Sequence, residues 1–345
     1  MGQAQGQPAR SARCIALVGP YLSGKTTLLE AILARTGAIG RQGTMAAKNT
    51  VGDASEEARH HGMSVEINVA TVDFLGDSYT FLDCPGSIEF QADAANALTA
   101  CDAAIVVCEP DEKKVPALQL ILKQLEDRGI PHFLFINKID KAEARIRDIV
   151  PMLQPASTKP LVLRQVPIWE NDIVTGFIDL ALERAYVYRE HAASEVVTIP
   201  DALADSEKQA RFSMLEKLAD YDDELMEQLL EDVPPPRDKV FDDLSKELRD
   251  GLICPVLMGS AETSRGIFRL LKALKSGTIL KRIKLSSAKR SRDATRSLSR
   301  KGNAQKISSI LFSSANRFAS SIVPSSLYVA FDGNLSSKIP SGLKP

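Results

Sequence analysis

The chain has 345 residues, 44% of them hydrophobic and 25% charged, with a formal net charge of −1 at pH 7, which suits a globular protein with a sizeable core and excludes fibrous or low-complexity classes. No apolar run reaches the roughly 20 residues of a membrane helix, and the polar stretch 1–11 lacks the apolar centre of a signal peptide. Cys14, Cys84, Cys101, Cys108 and Cys254 form no Cys-x-x-Cys pair, so the expectation is a cytoplasmic chain with buried thiols and no membrane contact.

Residues 14–18 form a continuous apolar run that stops at Gly19, the pattern of a strand buried on both faces. Lys25–Arg35 follows with Leu28, Leu29, Ile32 and Leu33 at helical spacing. The polar, Gly-rich stretch 36–62 shows little periodicity and reads as a long loop, a length usually tied to function inside a compact domain. Strands at 65–75 and 79–82 pair around Gly76-Asp77, a hairpin signal. A helix over 90–100, a strand over Ala103–Cys108, a helix over 115–128, a strand over His132–Ile136 and a helix over 141–152 come next. This alternation predicts an α/β fold: a mostly parallel sheet with helices on both faces. After a break marked by Pro155 and Pro160, residues 161–200 read as a small α+β insert, followed by acidic helices over 206–230 and 239–249. A strand over 253–258 and a helix over 266–275 close the sheet. Trp169, the single tryptophan, falls in the insert and reads as a packing residue.

Four motifs stand where such a sheet presents its loops. Gly19-Pro-Tyr-Leu-Ser23-Gly24-Lys25-Thr26, with Thr27 behind it, is a phosphate loop between a strand and a helix. Its glycines let the backbone wrap phosphates, while free N–H groups and the helix N-terminus stabilise negative charge. Lys25 then reaches the β- and γ-phosphates and Thr26 ligates Mg²⁺. Asp83-Cys-Pro-Gly86 places a carboxylate that holds Mg²⁺ through water, and an uncrowded Gly86 amide that senses the γ-phosphate. In Asn137-Lys138-Ile-Asp140, the Asp140 carboxylate accepts from both guanine N1–H and the exocyclic amine, a donor pair adenine lacks. Lys138 lies along the base, Asn137 ties the loop to the phosphate loop, and Ser260-Ala261 offers a backbone N–H to guanine O6. The order predicts a P-loop NTPase G domain binding GTP and GDP with Mg²⁺. A P-loop ATPase or kinase is disfavoured by the Asn137–Asp140 motif, and preference for ATP in competition would revive it.

With these motifs the chain resembles the translational GTPases, and among them elongation factor G. More than 100 residues separate Asp140 from Ser260, and their text is similar to that family's extra subdomain, at Gln165-Val-Pro-Ile168, Gly176-Phe-Ile-Asp-Leu180 and Tyr221-Asp-Asp-Glu-Leu-Met-Glu227. The resemblance covers residues 13–275, with the insert at about 158–250, and implies hydrolysis of GTP in ribosome-linked elongation. The implied partners are the large-subunit stalk and rRNA. Three positions depart from the family. Leu22 stands where it has an aspartate that helps place a cation near the phosphates. Ser87 stands where it has the histidine that orients the attacking water, and Ser64 replaces the switch threonine while keeping a hydroxyl for Mg²⁺. Thr26, Ser64 and Asp83 are thus the expected metal set, and Lys25, Gly86 and a weakened Ser87 the catalytic one. Binding is expected to be intact and hydrolysis slow; the competing reading is a GTP-gated module that does not hydrolyse.

Beyond residue 275 the pattern dissolves. Residues 276–345 hold 13 Lys/Arg against Asp293 and Asp332, whereas 1–275 hold 30 basic and 42 acidic residues. With 17 serines, the tail reads as disordered, as does the N-terminal stretch 1–12. Two readings of the tail stand: a basic extension that touches RNA phosphates, or, favoured by the abrupt break inside the last helix, an unrelated or frame-shifted terminus of a truncated factor without translocation activity.

Overall fold

The computed structural model describes residues 12–141, 146–171, 173–189 and 194–275. The expectations for 1–11 and for the basic tail lie outside these residues. In chain order the first half comprises β1 (Ala12–Val18), α1 (Lys25–Arg35), α2 (Glu56–His61), β2 (Asn68–Phe74), β3 (Asp77–Asp83), α3 (Gln91–Ala100), β4 (Ala103–Cys108), α4 (Val115–Asp127), β5 (His132–Ile136) and α5 (Ile146–Leu153). The second half comprises β6 (Leu161–Leu163), β7 (Gln165–Glu170), β8 (Ile173–Asp179), β9 (Arg184–Val187), β10 (Glu195–Val197), α6 (Asp201–Ala219), α7 (Asp223–Leu230), α8 (Arg237–Asp250), β11 (Cys254–Met258) and α9 (Ile267–Lys275).

β2, β3, β1, β4, β5, β11 and β6 form one sheet in that order, parallel except for the β2–β3 hairpin. Alternate residues of each central strand supply opposite cores, as a period of two requires. Ile15 and Leu17 of β1, Ile105 and Val107 of β4, and Phe133 and Phe135 of β5 share a core with Leu28, Leu29 and Ile32 of α1 and Leu270, Leu271 and Leu274 of α9. Ala16, Val18, Ala104, Val106, Leu134 and Ile136 face the other way, toward Leu98 of α3, Leu118, Leu122 and Leu125 of α4, and Ile149 of α5. A strand covered on both faces can be apolar throughout, which is why these runs show no alternation in sequence.

The buried guanidinium of Arg13 ties the sheet to the closing helix. It donates to Tyr79 Oη at 3.0 Å, to the Leu274 carbonyl at 2.9 Å and to Asp77 Oδ2 at 3.3 Å. A cation at the C-terminus of α9 also complements the helix dipole.

The insert departs from expectation at its edges. β6 belongs to the main sheet, paired in parallel with β11, so β11 is interior and β6 takes the edge. β7, β8, β9 and β10 make a separate antiparallel sheet. The stretch 206–230 is two helices, because Asp222 caps α7 by accepting from the Leu225 N–H at 2.9 Å. Within the expected loop 36–62, Ser55 accepts from the Ala58 N–H and starts the short α2.

On the inward side of α8, Asp243 and Glu247 stand one turn apart, 5% and 2% exposed. Burial, and then the neighbouring acids, raise Asp243 to about 6 and Glu247 to about 8. A carboxyl raised by folding contributes stability that is complete below its unfolded pKa and lost as pH rises through its folded one. For Glu247 that window runs from the ordinary carboxylate range to about 8. Glu247→Gln is therefore expected to lose less stability than the parent between pH 5.5 and 8.5, read from urea midpoints at the two pH values.

Candidate functional site

A parallel sheet whose chain leaves β1 toward β3 on one side and β4 on the other opens a crevice at the carboxyl ends of those strands. The loops after β1, β3, β5 and β11 all emerge there, and they carry the four motifs. Gly24 is the N-cap of α1, with φ 90° and no capping side chain, and the first turn of α1 holds no acidic residue. Its free amides thus face the crevice without a competing anion. A Cβ at Gly24 would collide with Asn137 Nδ2, so glycine is required for both its dihedral and its neighbour. Lys25, 6% exposed, donates to the carbonyls of Gly19 and Pro20, both at 3.1 Å. Burial lowers its pKa, opposed by the Asp83 carboxylate. Ser23 Oγ is buried with no hydrogen-bond partner among the described residues.

Thr26 Oγ1 donates to Asp83 Oδ2 at 2.7 Å and lies 3.0 Å from Ser64 Oγ. Ser64 Oγ in turn donates to Asp53 Oδ2 at 3.1 Å. Two hydroxyls and one carboxylate from three separate segments thus meet in an all-oxygen set, which suits a hard divalent cation completed by phosphate and water. Asp83 is fully buried, and its Oδ1 has no hydrogen-bond partner among the described residues. Burial pushes its pKa up to about 7, against the pull of Lys25. The residues present fit Mg²⁺.

Gly86 packs directly on the Lys25 ammonium and the carbonyls of Gly19 and Pro20, so any side chain there would displace them. Ser87 follows, its hydroxyl donated to the Glu89 carboxylate. Thr27 sits partly buried in the first turn of α1. Asn137 joins three loops: Nδ2 donates to the Ser23 carbonyl and Oδ1 accepts from the Ala261 N–H, both at 2.9 Å. That amide, expected to face guanine O6, is here engaged by Asn137. Lys138 donates to the Leu22 carbonyl at 2.9 Å, and Ser260 closes its loop by exchanging backbone hydrogen bonds with Arg265. Asp140 carries a buried Oδ1 with no partner among the described residues.

Some neighbours were not singled out from sequence. Glu30, fully buried on α1, accepts from the backbone N–H groups of Gly43, Val51 and Gly52, and so anchors the loop after α1. From the insert, the Tyr188 ring lies under Arg265, whose guanidinium carbon is 5.5 Å from the ring centroid. A buried glutamate on an otherwise apolar helix face was the only signal for Glu30; Tyr188 is brought close by tertiary contacts with no local pattern.

Residues 10–278 match the family described as elongation factor Tu GTP binding domain. The chain is 44% identical over 264 residues to an elongation factor G-like protein of Synechocystis, covering 76% of this chain and 40% of that one. It is 31% identical to elongation factor G 1 of Borreliella afzelii, over 73% of this chain and 37% of the relative. A crystal structure from Thermus thermophilus superposes with a TM-score of 0.69 at 28% identity, covering 77% of this chain and 40% of the other. The chain thus spans about two fifths of the length of the relatives it matches.

Leu22 has φ 58° as the third residue of the turn closed by the Ser23 N–H to the Pro20 carbonyl at 3.3 Å, a position that favours Gly or Asn. The left-handed conformation costs a leucine about 1 kcal/mol. Leu22→Asn is expected to recover most of this, read as a raised denaturation midpoint in nucleotide-free protein.

Proposed function

The chain belongs to the elongation factor Tu GTP-binding domain family, and from that membership we propose that it is a cytoplasmic protein that binds GTP and GDP with Mg²⁺ and hydrolyses GTP slowly in ribosome-linked elongation. One observation carries the reading: an uncapped helix N-terminus with Lys25, the Thr26–Ser64–Asp83 oxygen set and Asp140, whose buried Oδ1 has no partner among the described residues, share one sheet edge. An anion site, a cation site and a base-reading acceptor in line suit a nucleoside di- or triphosphate.

In this reading the amides of Gly24, Lys25, Thr26 and Thr27 hold the β-phosphate, and Lys25 exchanges its carbonyl partners for phosphate oxygens. Thr26, Ser64 and Asp83 would hold Mg²⁺, which would supply positive charge to offset that of the phosphates. Asp140 selects guanine, Lys138 covers the base, and Ser260-Ala261 faces its O6 once Asn137 releases the Ala261 amide. The γ-phosphate orders 53–64 and 86–90, with the Gly86 amide as its contact. Ser87 has a short side chain bonded to Glu89 and no imidazole to orient water, and one missing donor at such a site costs about 100-fold in rate.

Asp140→Asn removes the charged acceptor, worth about 1.5–3 kcal/mol per hydrogen bond. Its fluorescent-GDP affinity is expected to fall at least about 100-fold, with the melting temperature little changed. Ser87→His is expected to raise phosphate release from GTP; an unchanged rate would mean that Ser87 is already competent or that another residue orients the water. The relatives named for elongation support a ribosomal setting, with the large-subunit stalk and rRNA as partners. Phosphate release from GTP with and without 70S ribosomes tests it. Stimulation supports a translational GTPase, whereas tight GDP binding without release in either condition favours a GTP-gated module.

A further inference from the structure

The four successive carbonyls of the phosphate loop from Gly19 to Leu22 are all taken by lysine ammonium groups. Lys25 holds Gly19 and Pro20 at 3.1 Å each, Lys114 reaches Tyr21 at 3.4 Å, and Lys138 holds Leu22 at 2.9 Å. Lys25 and Lys138 are accounted for by the site; Lys114 comes from the turn before α4 and matches no motif. A single carboxylate organises it. Glu109, at the end of β4, pairs with Lys114 through Oε1 and with Lys138 through Oε2 at 3.0 Å. The Glu109 side chain is 16% exposed, and those of Lys114 and Lys138 are 28% and 34% exposed, so the two ion pairs are partly shielded from solvent, while the lysine bonds to the Tyr21 and Leu22 carbonyls lie at the surface.

The segment these groups grip carries one of the non-glycine residues in the left-handed region. Tyr21 and Leu22 are the middle of the turn, 44% and 54% exposed, and Leu22 adopts its left-handed φ without burial in compensation. Such a conformation persists only where surrounding contacts over-determine it. The carbonyls on both sides of the strained Cα are the bonded ones. We propose that Lys114, held by Glu109, is a positioning residue of the nucleotide site: by binding the Tyr21 carbonyl it clamps the Tyr21–Leu22 corner of the phosphate loop. The inference rests on the nucleotide-binding reading for its functional consequence, though not for its geometry.

Two measurements on the full chain test it. The first is the dissociation rate of a fluorescent GDP analogue. Lys114→Met keeps the apolar stem and loses the donor, and is expected to raise the rate about 10-fold, the scale of one charge-assisted hydrogen bond. Lys114→Arg keeps a donor and is expected to stay near the parent. The decisive variant is the double substitution Lys114→Met with Leu22→Asn: relaxing the strained residue is expected to restore the rate to within about twofold of the parent. No effect of Lys114→Met, or an effect that Leu22→Asn leaves untouched, overturns the clamp, the latter by assigning Lys114 a direct contact with the nucleotide. The second measurement is hydrogen exchange of the Leu22 and Ser23 amides in nucleotide-free protein. Faster exchange in Lys114→Met, reversed in the double variant, supports the clamp even if the parent binds no GDP, in which case the nucleotide-binding reading alone fails. Unchanged exchange overturns it.

Discussion

Parallel strands cannot be joined by tight turns, and the architecture follows from that constraint. Each of β1, β3, β4, β5 and β11 must hand its chain to a loop at the carboxyl edge before a helix or a long connection carries it back. Because β1 is central and its neighbours β3 and β4 lie on opposite sides, those loops converge. Backbone amides and buried polar side chains accumulate at one place, and the apolar layers on either face leave them no other partner. Ser23 Oγ, Asp83 Oδ1 and Asp140 Oδ1 are among the buried polar atoms there that have no hydrogen-bond partner among the described residues.

Legibility in the sequence followed the locality of the physics. The central strands and α1 were readable almost to the residue, because double-sided burial writes a continuous apolar run and amphipathic helices write a 3.6-residue period. The doubly covered parallel sheet and its insert follow from that alternation, and the family membership agrees with the resemblance carried by the motifs. Three features were not readable. β6 is three residues long and owes its place to β11, ninety-odd positions downstream. The break between α6 and α7 depends on one capping aspartate inside a helix-favouring acidic stretch. Glu109 and Lys114 look like ordinary surface charges until tertiary structure brings them together beside the phosphate loop.

Charge burial sets the character of the site. Lys25 and Asp83 are both withdrawn from water and pulled in opposite directions, the amine toward losing its proton and the acid toward keeping one. Each partly compensates the other, but neither reaches the geometry of a direct salt bridge; Lys25 rests on backbone carbonyls and Asp83 on Thr26. A buried pair in that condition suits the charged ligands proposed for the site.

The pairing of β6 with β11 has a consequence for how the chain can vary. Everything in residues 164–253 leaves one strand and returns to its immediate neighbour, so topologically the whole second sheet and its three helices are a single, very elaborate crossover. The entropic cost of closing such a connection grows only logarithmically with its length. Material can be gained or shed at the exposed turns of this connection over evolutionary time, or grafted there by design, with the strand order left undisturbed.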